Sequence, residues 1–229
     1  MVKIYLDPGH GGSDPGAVGN GIQEKDVVLD IAKRIEAKLK DYEGVQTRMS
    51  RTNDKTVSLS ARTNDANSWG ADYFVSIHIN AFNGSANGYE DFIHNSLSNS
   101  SQTAIYRDTM HSEIRKESPF FSNRGKKNAN FHVIRESNMS AILTENGFID
   151  NKGDSDRLKQ SSTLDKIAQG HVNGLVKIFN LKKKPTPKQP TSSGALYKVQ
   201  VGAFSKKSNA DRLAKELESK GYSTYIVKE

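Results

Sequence analysis

The run Tyr73-Phe74-Val75-Ser76-Ile77-His78-Ile79 is strongly apolar and shows little polar–apolar alternation. A strand of this kind must be covered on both faces, so helices have to pack on either side of its sheet. The flanking sequence agrees. Lys3 to Leu6, Val45 to Met49, Tyr89 to His94, Phe131 to Ile134 and Ala141 to Thr144 read as further strands. Helical spacing places Val28, Ile31, Ala32, Ile35 and Leu39 on one stripe, and helices are predicted over Ser58 to Trp69, Gln102 to Lys116 and Leu164 to Asn180. The expectation is an α/β fold, a mixed, mostly parallel twisted sheet covered by helices on both faces.

This periodicity stops at Leu181 and stays absent through Gly194, a stretch that holds three of the six prolines in the 229-residue chain. Such a sequence cannot bury enough apolar surface to fold and behaves as a semi-rigid tether. The chain therefore divides into a domain over 1–180, a basic Pro/Lys/Ser linker over 181–194 and a remainder over 195–229. The net charge of +7 belongs to the tail: residues 181–229 hold 11 Lys+Arg against 4 Asp+Glu, whereas residues 1–180 hold 22 of each. A field concentrated there favours a polyanion such as an anionic wall polymer, an acidic membrane surface or nucleic acid; a solubilising linker is the other reading. Nucleic acid ranks last, because no recognition helix or aromatic platform motif accompanies the charge.

With no cysteine, the chain has no thiolate ligand and no cysteine nucleophile, so any bound metal rests on His, Asp or Glu. No window approaches the roughly 18 consecutive apolar residues of a membrane span. Asp7-Pro8 interrupts the first apolar run before a signal peptide could form. The expectation is no membrane insertion and no Sec export, so a product made in the cytoplasm would reach an outside target non-classically or on lysis.

Ligand sites in α/β sheets lie beyond the carboxyl ends of the strands, so polar residues just after a strand are the first candidates for chemistry. Asp7-Pro8-Gly9-His10-Gly11-Gly12 follows the first strand, His78 and Asn80 close the central one, and Glu145 ends the late strand ahead of Asn146-Gly147. Glu24 stands near the start of the first long helix. Two histidines and a carboxylate with one open position make a catalytic zinc set, and a second carboxylate nearby can act as general base. Two neutral imidazoles and one carboxylate leave such an ion a net charge near +1, which acidifies a bound water toward pKa ~7. Because the candidates are dispersed rather than packed on one helix, spacing alone does not decide the ligand set.

At these residues the chain resembles the zinc-dependent N-acetylmuramoyl-L-alanine amidases of the type 3 fold. The resemblance runs through Leu6 to Gly12, Glu24, Leu59, Arg62, Ala66-Asn67, Ala71-Asp72, Phe74 and Ser76 to Asn80. It continues through Arg124-Gly125, Phe131, Val133 and Leu143 to Ile149, covering about residues 1–180. It implies that His10, Glu24 and His78 hold one Zn2+ per catalytic domain and that Glu145 is the catalytic base. The implied reaction is hydrolysis of the amide between the lactyl group of N-acetylmuramic acid and L-alanine, with peptidoglycan as partner and the cell wall as site of action. Some family members carry an inserted helix that blocks the zinc site; the short interval from Asn80 to Gly88 has no room for one, which implies an unregulated enzyme. Mother-cell wall amidases of sporulating bacilli and some phage lysins are the implied kin.

The tail Leu196 to Phe204, with Asn209-Ala210, Leu213-Ala214 and Gly221-Tyr222, resembles the sporulation-related peptidoglycan-binding repeat. Tyr197, Val199 and Val201 alternate, and Ala210, Leu213, Ala214 and Leu217 share a helix face, so a small strand-helix-strand unit is expected. One such unit is half of a two-unit sheet, which favours tail-mediated dimerisation. A non-catalytic wall-binding or polyanion-binding protein remains the alternative, although the quartet is complete. Structural or surface roles are expected for His132 in a strand, His111 and His171 in helices and His94 at a strand end. Asp7 and Asp14 are expected to serve their turns, Arg62 to pair with a carboxylate, and Asn80 either to hold its loop or to touch substrate.

Overall fold

A computed structural model describes residues 1–185 and 199–228, and the chain separates into two compact units, Met1–Lys184 and Pro185–Glu229. The first is built on a six-stranded sheet. Its strands are β1 (Val2–Pro8), β4 (Val45–Met49), β5 (Tyr73–Asn80), β6 (Tyr89–His94), β7 (Asn123–Ala129) and β8 (Ser140–Phe148), in the spatial order β4-β1-β5-β8-β6-β7. The four on the β4 side run parallel, β6 is antiparallel to β8, and β7 is parallel to β6. A two-stranded hairpin, β2 (Val18–Gly19) and β3 (Ile22–Gln23), stands apart. It turns on Asn20 (φ 50°) and Gly21 (φ 81°), the left-handed pair that a tight hairpin requires.

Side chains alternate between the faces of the sheet, and each face has its own layer. Ile4, Leu6, Tyr73, Val75, Ile77 and Ile142 pack in one cluster with apolar residues of α1 (Glu24–Leu39), α3 (Gln102–Glu117) and α6 (Ser161–Phe179). Tyr5, Phe74, Ala141 and Leu143 form the other cluster with Ala66 of α2 (Leu59–Trp69) and with Val133 and Ile134 of α4 (His132–Arg135). The second layer is thin, because α2 spans 11 residues and α4 only four. Continuing this face toward the carboxyl ends of β1, β5 and β8, the sequence turns polar: Asp7, Ser76, His78 and Glu145. The thin layer thus gives way to chemistry.

Two expectations need correction. Phe131 to Ile134 is not a strand: His132 opens α4, and its apolar pair Val133 and Ile134 is buried by a helical turn. The strand of this region is β7, sequence Asn-Arg-Gly-Lys-Lys-Asn-Ala, which pairs only with β6 and lies at the sheet edge. An edge strand half open to solvent needs no apolar alternation, so it left no pattern to read. The late strand also runs on to Phe148, which places Glu145 within β8 rather than after it. A short helix, α5 (Lys152–Leu158), and the β2–β3 hairpin were not anticipated.

Main-chain bonds from Glu43 to Lys182 (2.8 Å) and from Lys184 to Asp41 (2.7 Å) tie residues just past 180 to the first unit. In the second unit, α7 (Lys207–Ser219) is the expected helix. The described residues on either side of it carry no strand ladder, and Tyr197 lies outside the described residues. Strands are defined by their partners, and one strand-helix-strand half supplies few.

Candidate active site

β1 ends at Pro8, and the chain then turns through His10, whose φ of 58° is left-handed and rare outside glycine. Two buried arginines hold this turn. Arg51 donates to the carbonyls of Pro8 (3.1 Å), Gly9 (2.7 Å) and Lys25 (2.7 Å). Arg62 donates to Pro8 (2.8 Å), to His10 (2.7 Å) and to the Asp7 carboxylate (2.7 Å), which also accepts from Ser76. Arg62 therefore does pair with a carboxylate, and Asp7 is committed to that pair. Together the guanidiniums take up three successive carbonyls, those of Pro8, Gly9 and His10, which holds the His10 turn in place.

Glu24 is the first residue of α1 and is buried. Its Oε1 accepts from the main chain of Ile79 (3.0 Å) and lies 2.9 Å from His78 Nδ1; its Oε2 accepts from Ala17 (2.8 Å) and lies 3.1 Å from His10 Nε2. Burial alone would raise the Glu24 carboxyl, but the hydrogen bonds and charge of His10 and His78 hold it well below the usual carboxylate range. Burial would also lower His10, yet Glu24 and Asp14 raise it. The His10 and His78 rings meet edge to face at 5.0 Å.

One donor atom from each of His10, Glu24 and His78 lies within 4.8 Å of the others, so the three could hold a metal ion. Two imidazole nitrogens and a carboxylate oxygen suit a borderline divalent cation. Glycines make the room: a Cβ on Gly9 would come within 2.2 Å of the His78 ring, and one on Gly16 would come within 2.6 Å of both Glu24 Oε2 and His10. Asp14 Oδ2 lies 2.8 Å from His10 Nδ1, so when it accepts the Nδ1 proton, Nε2 turns its lone pair toward Glu24.

Glu145 is register-paired with His78 across β5 and β8. Its Oε2 is shielded from solvent and has no hydrogen-bond partner among the described residues. Burial, then the charges of Glu24 and Glu90, push this carboxyl well above its usual range. A cation beside Glu24 would oppose the second of these effects. The site thus joins an N/O donor set to an unengaged carboxyl one strand away.

A family model described as N-acetylmuramoyl-L-alanine amidase matches residues 4–177, and one described as SPOR domain matches residues 193–229. The chain belongs to the N-acetylmuramoyl-L-alanine amidase family. It is 52% identical over 228 residues to a sporulation-specific N-acetylmuramoyl-L-alanine amidase of Bacillus subtilis strain 168, covering 99% of this chain and 85% of that relative. An endolysin of Bacillus phage SPP1 is 41% identical over 205 residues, 86% of this chain and 75% of the endolysin. Among solved structures, an N-acetylmuramoyl-L-alanine amidase from Clostridium difficile 630 is similar with a TM-score of 0.75 at 34% identity, covering 78% of this chain and 97% of that one.

The amidase site also contains contacts that the sequence did not reveal. Asp14 does serve its turn, accepting from Gly16 at 3.0 Å, but its other oxygen orients His10. Arg51 carried no local signal, since its acceptors are all main-chain carbonyls. The β2–β3 hairpin bonds to Ile149 through Asn20 (2.9 Å), and its Asn20-Gly21 dipeptide is the signal that could have found it. Asn80 holds its loop, donating to Glu90 (2.8 Å) and accepting from Ala81 (2.8 Å). No helix is inserted between β5 and β6; Asp150 accepts from Phe82 and Gly84 and closes that loop. His94 bonds Ser96 and Asn130, His111 bonds Asp91 and Asn123, and His171 bonds Ile167 and Thr144, while His132 does not join the cluster.

Proposed function

We propose that the first unit hydrolyses the amide between the lactyl group of N-acetylmuramic acid and L-alanine in peptidoglycan, with one zinc ion held by His10, Glu24 and His78 and with Glu145 as general base. The observation that carries this reading is the pairing of Glu145 with His78, which sets an unengaged carboxyl beside a three-residue donor set. When bound, the ion supplies a Lewis acid that polarises the scissile carbonyl and lowers the pKa of water.

The protein's own groups do the rest. Glu24 balances part of the ion's charge and keeps both imidazoles facing inward, and Asp14 holds the His10 tautomer. The Glu145 carboxylate takes a proton from the attacking water and returns it to the departing amine of L-alanine. The raised affinity of its carboxyl for a proton suits a group that must both accept and release one. Arg51 and Arg62 keep the His10 turn rigid during this exchange.

The SPOR match supports wall targeting by the tail. We assign it a further attraction to anionic wall polymers through the basic stretch, and pairing with a second copy, since α7 buries none of its residues and Val199, Val201 and Tyr225 are exposed. No helix among the described residues is long and apolar enough to cross a membrane. Similarity to a sporulation-specific relative supports action on the wall of a lysing mother cell.

Zinc content tests the ligand set. Wild type should hold one equivalent and His78→Ala close to none; a full equivalent in the variant would reject the assignment.

A further inference from the structure

The row that begins at His78 and Glu145 continues across the sheet. Glu145 is register-paired with Glu90 of β6 on its other side. Glu90 is buried: its Oε1 accepts from Asn80, and its Oε2 accepts from Arg124 Nε (2.8 Å) and from Lys127, both on β7. The Arg124 guanidinium also lies over the Phe148 ring, 4.8 Å from its centre. Its plane is therefore fixed twice, by the carboxylate at Nε and by the aromatic face beneath.

The two terminal amino groups of Arg124 have no hydrogen-bond partner among the described residues, and about a third of the side chain is exposed. A guanidinium held in this way presents its terminal N–H groups as a ready fork, and the group that matches such a fork is a carboxylate, bound through two parallel hydrogen bonds. Glu90, Arg124 and Lys127 together carry one net positive charge, so an anion is favoured at this margin of the site. Two strand spacings separate the backbones at Glu145 and Arg124, roughly 10 Å. The Arg124 side chain reaches back to Glu90 on the intervening strand, so its fork stands closer, at about the span of two extended residues, which brings the residue following L-alanine within reach.

Building on the amidase reading, we infer that Arg124 is a specificity-determining residue that binds a free carboxylate on the stem-peptide residue following L-alanine, and that Glu90 is the positioning residue that aims it. The stem peptide then lies over β6 and β7, with the glycan on the β1 side. Stems whose carboxylate is masked as a carboxamide are poorer substrates, because a carboxamide offers one acceptor where the fork has two donors and brings no charge.

The test uses the full chain with zinc and two soluble N-acetylmuramoyl tripeptides that differ only in this group, carboxylate in one and carboxamide in the other. Wild type should show a kcat/KM about tenfold higher for the carboxylate. In Arg124→Gln both rates fall, the carboxylate substrate about tenfold further and mainly through KM, so that the ratio approaches one; Arg124→Lys restores part of it. Glu90→Gln should raise KM for the carboxylate substrate in the same direction. A wild-type ratio of one, or equal losses on both substrates in Arg124→Gln, would overturn the inference while leaving the amidase reading intact. Hydrolysis of neither tripeptide by wild type would overturn both.

Discussion

Asp14 Oδ2 lies 2.8 Å from His10 Nδ1, on the side of the ring opposite the nitrogen that faces Glu24. The carboxylate is itself anchored by the Gly16 amide, so ring orientation is settled by a turn rather than by the ligands alone. Losing such an orienting partner typically weakens a metal site about 10- to 100-fold. Asp14→Ala should therefore lower zinc affinity by at least about tenfold, measured by competition with a chromogenic chelator, with the fold retained because Asp14 is more than half exposed. Unchanged affinity would show that the His10 turn needs no such support.

Glu145→Gln should keep one equivalent of zinc and lose about 10²- to 10⁴-fold in kcat, the usual contribution of a general base. Its carboxyl makes no hydrogen bond that the amide would break. Near-normal turnover with intact metal would exclude the proposed role.

The difference between what the sequence displayed and what it concealed follows from burial and pairing. β5 and β8 are central strands, so their apolar runs were visible, and His78 and Glu145 stand out as polar residues placed where those runs end. His10 and Glu24 were legible from the glycine-rich turn and the helix start. The roles of Glu90 and Arg124 were not, because β7 is an edge strand without apolar alternation and its function lies in cross-strand register, which no local pattern records. Arg51 was hidden for a different reason: a side chain that satisfies main-chain carbonyls far away in sequence leaves no spacing to recognise. In the tail, the helix stripe was readable, whereas strands depend on partners that the sequence of one half does not name.

His171 is buried in α6 and bonded to Ile167 and Thr144, and burial lowers its pKa from 6.5 to about 4. The folded state thus binds this proton less readily than the unfolded chain. Its contribution to stability is complete above pH 6.5 and is lost as the pH falls toward 4, by about 3 kcal/mol for a shift of this size. Urea midpoints taken between pH 7 and pH 4 should fall more steeply for wild type than for His171→Gln. Parallel pH profiles would show that another group controls acid unfolding.

A chain ending at Lys184 should hydrolyse soluble muropeptides at close to the full-length rate, since the complete donor set and Glu145 lie within the first unit. Its retention on intact walls in a pull-down should be weaker, most clearly at low salt, where the tail's charge acts over the longest range. Equal retention of both chains across salt would remove the targeting role. Sedimentation of the full chain should show self-association that the shorter chain lacks, and a monomer at high concentration would reject pairing through the tail.

The account stands most directly on which bond is cut. Purified peptidoglycan digested with the zinc-loaded protein and resolved by mass spectrometry should yield stem peptides with a free L-alanine amino terminus, alongside glycan strands of undiminished length bearing a free lactyl carboxyl. Shortened glycan strands, or cleavage within the peptides with the lactyl amide intact, would contradict it.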